Sequence, residues 1–271
     1  MRYASAVARD TNNGTQSEPG GIQSVARALS ILELFDDKRS MLTTNEIATL
    51  TGLNRGTTYR FCQTLKKLGY LDEIGQSTFR PGLKVLSLAQ AALGGRELVD
   101  MAMPTLQALR HDTGETVNLA VPDDLEVVYV ARLLNDDLLA LRLVVGSRLP
   151  MVFSSLGRSM LAFLPAAEID RIISSTEMRQ LTPHTITDRR ELDRRLEQVR
   201  QRGFALNDQE VATGVRGIAA PVMAADGRPI AAVNLSIARP LDTAKLEDDL
   251  APRLLAAADD IARRTSHLEN F

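Results

Sequence analysis

From Ile22, apolar residues recur at Val25, Ala28, Leu29, Leu32 and Phe35, a spacing that predicts a helix of about three turns. Thr44 opens a short helix containing Glu46, Ile47 and Ala48, and Gly52 closes it. Asn54 is placed to cap a third helix that runs to about Leu68 and stops at Gly69. The segments 70–73 and 77–80 flank Ile74, Gly75 and Gln76, which reads as a hairpin with glycine in its loop. This order of elements predicts a winged helix-turn-helix over residues 21–82. A linker helix follows over 83–95, with Leu83, Val85, Leu86, Leu88, Ala89, Ala92 and Leu93 along it and Gly94-Gly95 at its end. It is more apolar than a lone surface helix should be, which predicts a contact with a twin in a dimer.

Beyond residue 96 the period switches repeatedly between two and 3.6. A helix over Glu97–Asp112 precedes a hairpin, Thr116–Val121 and Glu126–Leu133, with its turn at Pro122-Asp123-Asp124. Leu138–Val145 reads as a further strand, and Ser159–Leu164, Ala167–Ser174 and Asp188–Arg202 as helices. Strands are expected at Ala205–Gln209, Gly217–Met223 and Ile230–Ile237, the last pair joined through Asp226-Gly227, before a terminal helix over Thr243–His267. Strands paired by short turns, with helices bundled to one side, make residues 96–271 an antiparallel α+β domain. Residues 1–20, rich in Ser, Thr, Asn and Gly, read as a disordered tail.

Composition narrows the function classes. The chain of 271 residues carries a net charge of −2, which excludes a wholly basic nucleic-acid coat. The charge is uneven: residues 20–84 are net +3 and residues 85–271 net −5, and four of the five lysines (Lys38, Lys66, Lys67, Lys84) lie in the basic part. An anionic partner is therefore expected for the small module alone. One cysteine, Cys62, excludes a disulfide framework, and the scattered His111, His184 and His267 give no metal spacing, so neither metal nor cofactor is expected. No apolar run is long enough for a membrane span and the start of the chain lacks a signal peptide's apolar region, so the expected location is the cytoplasm.

The third helix can be divided by arithmetic. At 100° per residue, Thr58, Phe61, Cys62, Leu65 and Leu68 share one face, and Gly56, Tyr59, Arg60, Gln63 and Lys67 the opposite one. The second set suits a major groove: Arg60 and Gln63 for base edges, Lys67 for phosphate, Gly56 for close approach. Arg55 and Thr57, at the helix start, are placed for phosphate contacts. A solvated helix face would carry the same residue types, and the spacing to the neighbouring elements favours DNA. Cys62, on the inward face, reads as a small core hydrophobe.

The large domain shows no catalytic set: no nucleophile elbow, no phosphate loop, no dinucleotide fingerprint. Asp208 and Glu210 read as solvated carboxylates at a strand end, and Arg189, Arg190, Arg194 and Arg195, interleaved with Glu191, Asp193 and Glu197, as a salt-bridged helix surface. More informative is the stretch from Gly146 to Ala162, where a strand leads through a loop to a helix beginning near Ser155. Free N–H groups at Ser154, Ser155, Leu156 and Gly157 would make a carboxylate site; alternatively Ser154 or Ser155 merely caps its own helix.

In order and spacing, several segments together resemble the IclR family of bacterial transcriptional regulators. They include Ile22-Gln-Ser-Val-Ala-Arg-Ala-Leu-Ser-Ile-Leu, Thr51-Gly-Leu-Asn-Arg-Gly-Thr-Thr-Tyr-Arg, Gly114-Glu-Thr-Val-Asn-Leu-Ala, Ser155-Leu-Gly-Arg-Ser-Met-Leu-Ala and Gly214-Val-Arg-Gly-Ile-Ala-Ala-Pro-Val. Arg148-Leu-Pro, Ser155-Leu-Gly-Arg and Asn207-Asp-Gln-Glu are most similar to the branch governing β-ketoadipate-pathway and related aromatic-acid catabolism. The resemblance implies a GAF-like effector domain and homodimers, or dimers of dimers, on double-stranded operator DNA. It implies an effector pocket on Ser155, Leu156, Asn207, Asp208, Val215, Gly217, Asn234 and Ser236. Gly217 stands where relatives carry Cys or Ser, and Asn234 where some carry Ser, which leaves room for a ligand larger than glyoxylate or pyruvate. On this reading Ser154–Gly157 hold a carboxylate, Asn234 and Ser236 a second polar group, and Leu156, Val215 and Ile218 the apolar body. The rival reading is a small-organic-acid enzyme or sensor whose helical module serves assembly.

Overall fold

The computed structural model describes residues 21–36, 39–94, 97–135, 143–238 and 243–266, which belong to two units divided between Gly95 and Arg96. The expected tail, residues 1–20, lies outside the described residues.

The first unit runs α1 (Gln23–Leu32), β1 (Leu42–Thr43), α2 (Thr44–Thr51), α3 (Arg55–Lys67), β2 (Leu71–Ile74), β3 (Thr78–Pro81) and α4 (Lys84–Gly94). Its helix ends follow from local chemistry. Thr43 and Glu46 form a reciprocal capping box at α2, with the Thr43 N–H donating to Glu46 Oε2 at 2.7 Å. Gly52 leaves the helix at φ 68°, a left-handed conformation that suits glycine, and Asn54 Oδ1 accepts from the Thr57 N–H at 2.9 Å to start α3. β1, which the sequence pattern did not reveal, pairs with β3 and completes a three-stranded sheet. Ile31, Leu42, Ile47, Cys62, Leu65, Leu71 and Phe79 form the core. Two expected core positions fail: Val25 and Leu29 are exposed because α1 carries two apolar stripes and buries the one through Ala28, Ile31 and Leu32. Leu68, beyond the last turn of α3, is exposed as well.

The second unit is built on a six-stranded antiparallel sheet in the order β6-β5-β4-β9-β8-β7. The strands are β4 (Thr116–Asp123), β5 (Glu126–Leu133), β6 (Arg148–Pro150), β7 (Ala205–Asp208), β8 (Arg216–Met223) and β9 (Pro229–Ile237). Helices cover both faces, correcting the one-sided arrangement expected. Ala205, Ala219 and Ala232 join a core with α6 (Ser155–Leu161), α7 (Ala166–Ser175) and α8 (Arg189–Arg202). Alternate residues such as Ile218, Val233 and Leu235 point the other way, where α5 (Glu97–Thr113) and α10 (Ala251–Arg264) pack. A short α9 (Thr243–Lys245) and a π-helical turn (Leu246–Leu250) lead into α10, so the terminal helix is not uniform. Of the strand expected at 138–145, residues 138–142 lie outside the described residues and 143–145 are not strand; pairing with β5 begins at Arg148 instead. Among the described residues no helix is long and apolar enough to cross a membrane.

Candidate functional site

The outward face of α3 carries most of what the helical arithmetic placed there. Arg55, Gly56, Tyr59, Arg60 and Lys67 are exposed and Thr57 is half-buried. Gln63 is the exception. Its Nε2 donates to Glu73 Oε2 at 3.0 Å, an oxygen that also receives Lys66 Nζ at 2.7 Å. Lys66 and then Gln63 hold the Glu73 carboxyl below its ordinary range. Gln63 is thus tied to the β2–β3 wing, and it reaches a base edge only by exchanging that bond.

In the second unit, register brings polar side chains together on one sheet face. Arg132 on β5 lies opposite Asn118 on β4, Asn118 opposite Asn234 on β9, and Asn234 opposite Ala219 on β8. Two residues along, Ser236, Gly217 and Asn207 form a second row across β9, β8 and β7. Small residues at 217 and 219 leave a hollow beneath the start of α6, and a cavity of about 40 Å³ occupies it. Ser154 and Ser155 line it from α6, and Tyr129, Leu143, Leu149, Val211 and Val215 supply its apolar walls. Asn118 Nδ2 donates to Asn234 Oδ1 at 2.7 Å, and Asn207 Nδ2 to the Phe153 carbonyl at 2.8 Å. Burial pushes the Tyr129 phenol up to about 12 and lowers the Arg132 guanidinium from its ordinary value, so the first stays neutral and the second a cation near neutral pH. Arg216 Nε lies 2.8 Å from Asp208 Oδ1 at the same cavity.

Seven residues expected at an effector site therefore converge: Ser154, Ser155, Asn207, Val215, Gly217, Asn234 and Ser236. Four do not. Leu156 is packed in the apolar core, and Ile218 points to the opposite sheet face from Gly217. Asp208 is exposed, paired to Arg216. Gly157 is required by packing, since a Cβ there would lie 2.3 Å from the Cα and carbonyl oxygen of Met151. The capping alternative holds for Ser154, whose Oγ accepts from the Gly157 N–H at 2.9 Å and so occupies one of the donors expected to meet a ligand. The sequence reading missed Asn118, Tyr129, Arg132 and Arg216. Alternation of Thr116 and Asn118 with apolar Val117 and Leu119 was the available signal, a polar stripe on a strand otherwise buried on both sides.

Glu210 departs from its expected solvated place. Gln209, at φ 60°, turns the chain so that Glu210 faces inward while Asp208 faces out. Glu210 Oε2 meets Arg158 Nη1 at 2.7 Å in a pair almost wholly buried, and Arg158 Nη2 donates to the Leu206 carbonyl at 2.7 Å. Thr185 Oγ1 donates to the Glu210 carbonyl at 2.7 Å and Thr182 Oγ1 to that of Gln209 at 2.8 Å. These bonds fix the segment that presents Val211 and Val215 to the cavity. Arg189, Arg194 and Arg195 form the expected surface ion pairs with Asp193 and Glu191 along α8, and Arg189 also reaches Asp170 on α7.

Comparison with known proteins decides the family. The model of the IclR helix-turn-helix domain matches residues 24–74, and that of the bacterial transcriptional regulator IclR C-terminal domain matches residues 90–263. The chain belongs to the IclR family. It is 32% identical over 216 residues to the HTH-type transcriptional regulator XynR of Escherichia coli, covering 79% of this chain and 86% of that protein. It is 32% identical over 250 residues to the Pca regulon regulatory protein of Pseudomonas putida, covering 91% and 85%. Among solved structures, an IclR homologue from Microbacterium hydrocarbonoxydans complexed with 4-hydroxybenzoate superposes with a TM-score of 0.77 at 25% identity, covering 89% of this chain and 98% of that one. As an IclR regulator the chain is a ligand-responsive DNA-binding transcription factor, and its relatives are regulators rather than enzymes. Helix α3 lies within the residues matched by the helix-turn-helix model, and the cavity within those matched by the C-terminal domain model.

Glu210→Ala should cost about 3–5 kcal/mol in denaturant unfolding, because it strands a buried guanidinium. A loss under about 1 kcal/mol would show that the Arg158–Glu210 pair does not hold this segment.

Proposed function

We propose that this IclR regulator senses a small organic acid, with an aromatic acid or its ring-cleavage product the first class to test. The observation that carries the reading is the cavity itself: two guanidinium groups, Arg132 and Arg216, with amides and hydroxyls on the sheet side and apolar walls opposite. The 4-hydroxybenzoate held by the Microbacterium relative and the aromatic-acid regulon of the Pseudomonas relative support that class. XynR is as similar and regulates under another name, so the residues of the cavity must decide the effector. Binding alters operator affinity only if the acid favours one arrangement of the protein over another, and the coupling is about 1–3 kcal/mol and reciprocal.

On the DNA side, Arg60 reads a base edge from α3, Arg55 and Lys67 contact phosphates, and Gly56 lets the backbone approach closely. Thr57 supports the phosphate contacts at the helix start. The regulator acts as a homodimer or dimer of dimers: Leu83 just before α4, Leu86 and Leu88 on it, and Ile22, Val25 and Leu29 by α1 are exposed apolar groups that a second copy would cover.

Three outcomes are expected. Arg60→Ala should relax base discrimination by about 1–3 kcal/mol, whereas Lys67→Ala should weaken operator and random DNA alike and flatten the salt dependence. Unchanged operator affinity in gel shifts of Arg60→Ala would remove α3 from its assigned role. In sedimentation the full chain should be dimeric or larger at micromolar concentration; a monomer would defeat the assembly. Finally, a thermal-shift screen of aromatic and aliphatic carboxylic acids should find at least one that stabilises the protein. Gly217→Val, whose Cβ would lie 3.0 Å from Ser155 Oγ and crowd the cavity lining, should abolish that stabilisation and leave acid-free operator binding intact. A screen without a stabilising acid would sink the organic-acid reading.

A further inference from the structure

Helix α3 exposes four cations, Arg55, Arg60, Lys66 and Lys67. Among the described residues Arg55, Arg60 and Lys67 form no ion pair, whereas Lys66 Nζ lies 2.7 Å from Glu73 Oε2. Glu73 stands on β2, and its side chain is 15% exposed against 44% for Lys66, so the acid is the covered partner. The same Oε2 accepts from Gln63 Nε2, one turn earlier on α3. The other oxygen, Oε1, accepts from the Ser77 N–H at 3.2 Å. Ser77 stands in the turn between β2 and β3 at φ 61°, a left-handed conformation that a residue with a side chain adopts rarely. Its carbonyl in turn accepts from the Thr44 N–H at 2.9 Å, at the start of α2. One carboxylate therefore joins α3 to a wing turn that is itself joined to α2.

A lone exposed ion pair would carry little meaning, because such pairs exchange easily. This carboxylate differs, since donors from two elements hold it at once. Giving up Lys66 to a phosphate would leave Glu73 an unneutralised anion beside the DNA. We propose that Glu73 is a positioning residue for operator selectivity: it withholds Lys66 from phosphate and fixes the wing on α3. The proposal rests on the reading that α3 enters the major groove, and adds a residue that touches neither base nor phosphate. Phosphate contacts carry no sequence information, and random DNA is bound by little else. Random DNA can also settle wherever phosphate contacts are most numerous, whereas base contacts hold the operator in one register. A freed Lys66 therefore favours random DNA, and a wing released from α3 weakens the operator complex. Both effects of losing Glu73 lower selectivity.

The test uses the full chain, a random-sequence duplex, and an operator recovered from a random duplex pool by the wild-type protein. Glu73→Gln keeps the shape and an acceptor oxygen and removes the charge. It should bind the random duplex roughly three- to tenfold more tightly at about 0.1 M salt, with a salt slope steeper by about one, the effect of one added phosphate contact. Operator affinity should gain less, so the operator-to-random ratio should fall about threefold or more. Lys66→Met alone should leave the wild-type salt slope in place, because that charge is already neutralised. Added to Glu73→Gln, it should return the slope to the wild-type value. A loosened fold does not produce a steeper slope that Lys66→Met reverses. A flatter slope in Lys66→Met alone shows that Lys66 already meets phosphate, and overturns the proposal. So does an unchanged slope in Glu73→Gln, or an equal gain for operator and random duplex. Should Glu73→Gln fail to fold, the comparison of Lys66→Met with Lys67→Ala still decides, since only the second should flatten the slope. If Arg60→Ala and Lys67→Ala behave as expected and these variants do not, the role of Glu73 fails alone. If Arg60→Ala and Lys67→Ala also leave DNA binding unchanged, the placement of α3 fails with it.

Discussion

The register of the central antiparallel strands is the constraint on which the second unit depends. Because side chains alternate along a strand, a slip of one residue would carry Asn118, Asn234 and Ser236 to the α5–α10 face and drive Val117, Val233 and Leu235 into the cavity. Both faces are covered by helices, so either error buries polar groups in apolar packing. The two rows of paired residues therefore serve stability and shape the cavity together. They hold the polar groups where their partners are each other, and they leave a hollow where Gly217 and Ala219 have little or no side chain.

A second constraint keeps the hollow roofed. The α6 helix is buried at every position, and it can lie so close to Met151 only because residue 157 is glycine. Across from it, the chain leaves β7 and reverses at Gln209, turning Glu210 inward onto Arg158. A buried ion pair of this kind contributes little net stability, but breaking it is costly, so it fixes one conformation. Thr182 and Thr185 hold the carbonyls of Gln209 and Glu210 from outside, and Val211 and Val215 are presented to the cavity as a result. The carboxylate pattern Asp208, Glu210 reads in sequence as two solvated groups. A single left-handed residue between them sends them in opposite directions.

This shows what the sequence could convey and where it stopped. Hydrophobic period, caps and turn residues placed most elements, because Thr43, Asn54, Asp188 and Gly203 act on chain neighbours a few residues away. The helix-turn-helix was legible for the same reason, its three helices and hairpin being local. Two-residue β1 was not, since its existence depends on β3, 36 residues later. The cavity was half legible. Ser155, Asn207, Gly217 and Asn234 came through family resemblance, whereas Asn118 and Arg132 required knowing which residue of β5 stands opposite which residue of β4. Leu156 and Ile218 were misplaced by one position on their elements, and Gln63 by a cross-element bond to Glu73 that no helical wheel contains.

The size of the cavity bears on how the protein responds to its ligand. At about 40 Å³ it is far smaller than the roughly 300–1,000 Å³ of pockets that hold organic ligands. A ring-sized acid can enter only if the lining moves, and the lining is of two kinds. The β4, β5 and β9 side chains are held by strand pairing, and neighbouring rungs oppose their movement. Val211 and Val215 sit outside the strands, on the segment between β7 and β8, beyond the residues Gln209 and Glu210 whose carbonyls and ion pair anchor it. Entry of the acid should therefore displace this segment and leave the sheet in place. Since a ligand shifts an equilibrium only by its differential affinity for the two states, a cavity too small in one arrangement and complementary in another provides that difference by exclusion.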